Sequence, residues 1–300
     1  MARQPEWEDR IIHKKVKTAD EVSISYMSLG EGTEDVVAFA NGLGGRLYSF
    51  EPIVNALAPA HRILTWDYRG LFESGSPRRI RNLSIPNHAR DLKAIMDAEG
   101  ISKVHLIGWS MGVQVALEFA TLYPENLDRM VLINGTYGRA LMTGFQPIVR
   151  IPGFDLLLHR LIDTLREHPS IARTVSRAGR SRLLIEPLGT LYSFLRGNPR
   201  IKDILDIYLN DVLGESFPNY LRLFQELDAH YSYHHLKYIP HQTLIVYGLL
   251  DFLTPAYQSR AMKKKLRNVQ SLRLMLGTHF AHLEYPHKVP HRIAEFLAYR

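Results

Sequence analysis

The 300-residue chain contains no cysteine, which removes disulfides, thiolate nucleophiles and cysteine-ligated metals from consideration. It also lacks long apolar runs: nothing approaches the roughly 18 residues needed to span a bilayer. The N-terminus, Met1-Ala-Arg-Gln-Pro-Glu-Trp-Glu-Asp-Arg10, is charged and has no apolar centre, so no signal peptide is expected. Internal repeats and low-complexity tracts are missing too. These absences lead us to expect a cytoplasmic protein, at most peripheral to a membrane. With 46% hydrophobic and 22% charged residues, the chain can bury a sizeable core, as one large α/β domain or two small ones.

Acidic residues are scarce in one place. The chain carries 37 Lys and Arg against 30 Asp and Glu, a net charge of +7. Between Arg150 and Lys202 there are ten cations and four acids, a local excess of six. Such a stretch fits a solvated helical face, a docking surface for anionic lipid, or a nucleic-acid patch. Aromatic residues do not alternate with the arginines and no nucleic-acid motif is present, so no nucleic-acid partner is expected.

Strands and helices alternate along much of the sequence. Ile11 to Lys17, Val22 to Leu29, Asp35 to Ala40 and Arg62 to Trp66 read as strands. Gly30-Glu-Gly-Thr-Glu-Asp35 reads as a turn-rich link. Helices are predicted from Tyr48 to Leu57 and from Ser84-Ile-Pro86, with serine as N-cap, to Glu99. Beyond Gly100 come strands at Val104 to Trp109 and Asp128 to Asn134. Near the C-terminus, strands Gln242 to Tyr247 and Ser271 to Leu276 flank a helix from Pro255 to Leu266, and a last helix runs from His287 to Ala298. This alternation implies a mostly parallel sheet with helices on both faces. From Gly135 to about Tyr238 the rhythm breaks. That stretch has helical patterns, including Phe154 to Arg166 and Ile201 to Leu213, and no convincing strand. We expect a core of residues 1–136 and 239–300, with residues 137–238 inserted as a helical cap.

Gly108-Trp-Ser110-Met-Gly112 joins the strand ending at Trp109 to a helix running to Tyr123. A serine on so sharp a turn projects its hydroxyl above the sheet, and glycines two residues away on each side remove Cβ atoms that would clash. The helix that follows aims its positive end at negative charge forming on a substrate. Other features read as structural. His230, His234 and His235 include an i, i+4 pair, but no thiol or Glu motif supports a metal there, and a His- and Tyr-rich surface or cap helix is the plainer reading. Gly42, Gly44 and Gly45 lack the G-x-G-x-x-G spacing of a dinucleotide loop.

Four motifs in order, Asn41-Gly-Leu-Gly-Gly45, Gly108-Trp-Ser-Met-Gly112, Tyr247-Gly-Leu-Leu-Asp251 and Gly277-Thr-His-Phe-Ala-His-Leu-Glu-Tyr-Pro286, resemble the α/β-hydrolase superfamily, in particular its capped esterase- and lipase-like members. The resemblance covers the core, about two thirds of the chain. Its chain order of Ser, acid, His implies a triad of Ser110 as nucleophile, Asp251 as acid and His279 as base. His282 competes with His279; the family spacing, two residues after the glycine and five before the Glu, selects His279. Some relatives take the acid from the end of the preceding strand, but Asn134 stands there and cannot carry the charge. The oxyanion hole is expected from the backbone N–H groups of Leu43 and Met111. Where the commoner pattern has His before the first loop glycine, this chain has Asn41. Asp67-Tyr-Arg-Gly70 resembles a structural turn of the family whose Asp and Arg lock neighbouring loops.

The resemblance thus implies a hydrolase of carboxylic esters with apolar acyl or lipid-like groups, needing no metal and no organic cofactor. The same triad serves C–C bonds, lactones, thioesters and perhydrolysis, and a hydrolase-like receptor with little turnover shares the fold. The expected partner is a small-molecule ester or acyl substrate, with peripheral contact to anionic membrane through the basic cap as a further expectation.

Overall fold

The computed structural model describes residues 5, 7–32, 34–144, 151–214 and 217–298. Most of the first six residues, Thr33 of the expected link, Arg150 at the start of the basic stretch, and residues 145–150, 215 and 216 of the expected cap lie outside them.

Eight strands form one sheet. They are β1 (Ile12–Lys17), β2 (Ser23–Leu29), β3 (Val36–Ala40), β4 (Arg62–Trp66), β5 (Val104–Trp109), β6 (Leu127–Ile133), β7 (Gln242–Gly248) and β8 (Val269–Leu274). Their spatial order is β1-β2-β4-β3-β5-β6-β7-β8. Only the β1–β2 and β2–β4 pairings are antiparallel. The central strands read as continuous apolar runs because both faces are covered. Along β5 and β7, Leu106, Ile245 and Tyr247 enter one core, while Ile107, Trp109, Leu244 and Val246 enter the other. The period of two divides them.

Helices α1 (Glu51–Leu57), α2 (Ile85–Ala98) and α3 (Met111–Leu122) follow β3, β4 and β5. Helix α2 starts where sequence places it, but Ser84 does not cap it with its hydroxyl, which instead accepts the Asn87 amide at 3.1 Å. Between β6 and β7 lie α4 (Ala140–Thr143), α5 (Phe154–Glu167), α6 (Pro169–Gly179), α7 (Arg182–Arg196), α8 (Arg200–Val212) and α9 (Phe217–Ala229). Helices α10 (Ala256–Lys265), α11 (Ala281–Glu284) and α12 (Lys288–Ala298) complete the chain. Residues of α2, α3 and α10 pack in one core and residues of α1 and α12 in the other. Each fully buried Leu, Ile or Phe in them is worth about 1.5–3 kcal/mol.

Two expectations are corrected. The last strand begins and ends two residues earlier than read, because Met275 and Leu276, apolar in sequence, run past the sheet and stand 59% and 62% exposed. The segment with His230, His234 and His235 is not a helix but a turn after α9. The i, i+4 spacing therefore puts nothing on a common face. His230 turns inward to Gln114 and Glu118 of α3 instead, at 2.6 and 3.0 Å. Among the described residues no group of three His, Asp or Glu could hold a metal ion.

Candidate active site

The turn between β5 and α3 places Ser110 at φ 54°, ψ −114°, a costly conformation for any residue with a Cβ. The residues two positions away on each side cannot be larger than glycine. A Cβ on Gly108 would lie 2.3 Å from the Gly112 carbonyl oxygen, and one on Gly112 would lie 2.0 Å from that of Ala40. Strand β3 therefore passes directly beneath the turn.

Three side chains from distant elements meet here. Ser110 Oγ lies 3.0 Å from His279 Nε2, and His279 Nδ1 lies 2.9 Å from Asp251 Oδ2. Asp251 and His279 are buried, and Ser110 is partly open. The aspartate is saturated. Its Oδ1 accepts the backbone N–H groups of Leu253 and Thr254, both at 2.9 Å, and its Oδ2 also accepts the Thr254 hydroxyl at 2.6 Å. One oxygen thus holds the local turn, while the other is shared between Thr254 and His279. With Oδ2 accepting Nδ1–H, the Nε2 lone pair is left to face the serine. His282 is different in kind. It is fully buried against Trp109 and Phe50, and among the described residues neither ring nitrogen meets a hydrogen-bond partner. Burial pushes its pKa down to about 3, against a weaker opposing effect of the Ser49 backbone.

Asn134 is a residue whose role sequence reasoning missed. Buried at the end of β6 with φ 40°, its amide donates to the carbonyls of Thr278 and His279 at 2.6 and 2.9 Å, and its oxygen accepts Gly248 N–H at 2.9 Å. It ties the histidine loop to β7. The Trp109 indole N–H adds a second bond to the His279 carbonyl, at 3.0 Å.

The glycine loop after β3 brings Leu43 beside the serine. Asn41 braces this loop through its amide, which donates to Thr65 Oγ1 at 3.1 Å and to the Trp66 carbonyl at 3.0 Å. Gly44, at φ 79°, lies so close to the insertion that a Cβ would meet Val212 at 2.5 Å. Met111 is the first residue of α3, so its N–H is among those left without an intrahelical acceptor. Asp67 is paired with Arg46 at 2.8 Å, and Arg69 with Asp91 and Asp20.

The inserted helices grip both loops. Tyr208 of α8 donates its hydroxyl to the Leu43 carbonyl at 2.9 Å. Tyr192 of α7 bonds Thr278 Oγ1 at 2.7 Å and also Glu284, which Arg196 approaches at 3.2 Å. Glu284 in turn accepts the N–H and hydroxyl of Thr278, at 2.8 and 2.6 Å. No local pattern in the sequence marks Tyr192 or Tyr208, because both act across 86 or more positions. A cavity of about 140 Å³ opens at Ser110, lined by Leu43, Met111, Tyr208, Tyr220, Phe224 and His279. A second, of about 470 Å³ and almost wholly apolar, reaches His279 between Tyr192, Leu205, Leu209, Phe252 and Phe280.

Known proteins share this chain's fold and part of its sequence. The chain is 26% identical over 254 residues to the protein named "Putative carbamate hydrolase RutD" of Caulobacter segnis, covering 82% of this chain and 84% of that one. It is 31% identical over 157 residues to 2-hydroxy-6-oxononadienedioate/2-hydroxy-6-oxononatrienedioate hydrolase 1 of Pseudomonas putida, covering 50% and 51%. The crystal structure of a hydrolase from Pseudomonas aeruginosa PA01 superimposes with a TM-score of 0.72 at 19% identity, over 96% of this chain and 98% of that one, a likeness of fold. The family described as alpha/beta hydrolase fold matches residues 35–286, most of the chain, and the protein belongs to that family as a hydrolase of the alpha/beta fold.

Proposed function

We propose that the protein is a serine hydrolase that cleaves a carboxylic ester with an apolar acyl group, through an acyl-enzyme on Ser110. The observation that carries this reading is the continuous hydrogen-bonded line from Asp251 through His279 to Ser110, ending at a cavity. A serine hydroxyl is nearly inert until a base takes its proton. As Ser110 Oγ attacks the carbonyl carbon, its proton passes to His279 Nε2. Asp251 stabilises the imidazolium without itself taking the proton. The carbonyl oxygen, now negative, is held by the Leu43 and Met111 N–H groups. His279 then gives its proton to the departing alcohol, and the acyl group stays on Ser110. A water molecule, deprotonated by His279, attacks the acyl carbon and regenerates the serine.

Residues 137–238 act as a cap over the core in this reading, and the apolar cavity beneath α7 and α8 takes the hydrophobic part of the substrate. The test is hydrolysis of p-nitrophenyl esters from acetate to palmitate by wild type, Ser110→Ala and His279→Ala. Turnover lost in both variants supports the reading, and the chain-length optimum sizes the cavity. An aryl carbamate in the same series asks whether the bond named for the Caulobacter relative is preferred. Wild type that turns over nothing, and that a fluorophosphonate fails to label at Ser110, overturns it in favour of a receptor.

A further inference from the structure

A third cavity, of about 450 Å³, lies on the insertion away from the serine, between α6 and the start of α9. Arg173 and Arg177 of α6 and Arg180, the residue just past its end, line it about one turn apart, over a floor that includes Ala172 and Phe217. The three guanidiniums are exposed at this groove and form no ion pair among the described residues. Glu215, next in sequence to the groove residue Gly214, lies outside those residues. The local sequence offers no compensation either: no Asp or Glu occurs between Glu167 and Glu186. Like charges at i, i+4 destabilise a helix. The dipole at the C-terminal end of α6 offsets this for cations in its last turn, but it does not call for three of them to face one concave surface. Buried Ser176 fixes that face by donating its hydroxyl to the Leu213 carbonyl.

We propose that this groove is an anion site that takes a phosphate group. Guanidinium forks match phosphate oxygens two at a time, and three around one cavity supply both the charge and the donors. The group comes from either of two sources, a soluble phosphomonoester or the head group of an anionic phospholipid. The site stands independently of the ester reaction.

The experiment compares wild type with the triple variant Arg173→Gln/Arg177→Gln/Arg180→Gln and its Arg→Lys counterpart. Inorganic phosphate is titrated by calorimetry at constant ionic strength. In parallel, protein is sedimented with phosphatidylcholine vesicles, with and without phosphatidylglycerol. Saturable phosphate binding identifies a soluble ligand, and binding only to phosphatidylglycerol vesicles identifies a lipid head group; either supports the site if the glutamine variant loses it. On an anionic surface each arginine is worth about fivefold in partition, so the triple loss is about 100-fold. The lysine variant keeps the charge without the fork and should retain part of the binding. An unchanged thermal unfolding midpoint of the glutamine variant, followed by circular dichroism, serves as the folding control. Equal binding by the glutamine variant, equal binding to neutral vesicles, or no response to either probe overturns the proposal.

Discussion

Replacing Asn134 should separate the assembly of the site from its chemistry. Asn134→Ala deletes the bonds to the Thr278 and His279 carbonyls and takes the acceptor from Gly248 N–H. The His279 carbonyl keeps the Trp109 indole, so two of the three backbone groups lose the partner described here. A buried backbone group left without its hydrogen bond costs about 1–3 kcal/mol. Alanine also inherits φ 40°, a left-handed conformation that costs about 1 kcal/mol more than for asparagine. The Thr278 carbonyl is only partly buried and water can replace its donor, so the Gly248 N–H and the strained φ dominate and the loss of folding stability is about 2–4 kcal/mol, a sizeable share of the total for a protein of this kind. Chemistry suffers as well, because a displacement of about 1 Å in a positioned group costs on the order of 100-fold in rate. The expected signature is a kcat near one hundredth of wild type with KM little changed, since Asn134 lines neither cavity at the site. Asn134→Gly supplies the control: it relieves the backbone strain and recovers about 1 kcal/mol but leaves kcat low. Urea unfolding and steady-state hydrolysis of a p-nitrophenyl ester measure the two effects. A well-folded Asn134→Ala enzyme with kcat within about threefold of wild type would refute the reasoning.

Tyr208→Phe frees the Leu43 carbonyl from its donor, and loss of that bond should lower kcat about tenfold at nearly constant KM; a change confined to KM would mean that Tyr208 only lines the cavity. Ser110→Gly abolishes hydrolysis but releases the strained turn, so thermal denaturation should show a gain of about 1 kcal/mol. A drop in stability would show that the turn stores no strain. His282→Phe should keep neutral-pH hydrolysis, unlike His279→Ala, and should resist acid better. The folded protein holds His282 neutral down to about 3, while its ordinary value is 6.5. The unfolded chain thus takes up a proton that the folded one refuses, and stability falls as pH drops from about 6.5 toward 3. Phenylalanine removes that loss, so the acid-unfolding midpoint followed by circular dichroism moves to lower pH; an unchanged midpoint refutes the assignment.

The parallel core was legible because its determinants are local. Apolar runs such as Val104 to Trp109 form strands between helices, and the glycines at 108 and 112 let the turn close against the start of α3 and against β3. The fold neighbours and the family match agree with that reading. The end of β8 was misread for an equally local reason. Met275 and Leu276 have strand-like composition but lie beyond the residues that pair with β7. The histidines near residue 230 misled in the opposite sense, since helical spacing implies a common face only where a helix exists. At the candidate site, Ser110, Asp251 and His279 lie in the loops or turn just after β5, β7 and β8 and have reactive groups in their own side chains, so a motif can mark them.

Asn134 shows where legibility ends. Sequence reasoning considered the position only as a place for an acid and passed over it because an amide carries no charge. Lack of charge is what suits it to this role: an amide offers both a donor and an acceptor, and it must donate to the carbonyls of Thr278 and His279 while accepting Gly248 N–H. A carboxylate there would set negative oxygens against two carbonyls. The same holds for Tyr192 and Tyr208, whose partners lie on loops far away in sequence. Their hydroxyls connect the insertion to the histidine loop and to the loop carrying Leu43. The helices between β6 and β7 are therefore part of what holds the candidate site in register, and a shift of α7 and α8 would loosen the loops carrying His279 and Leu43 together.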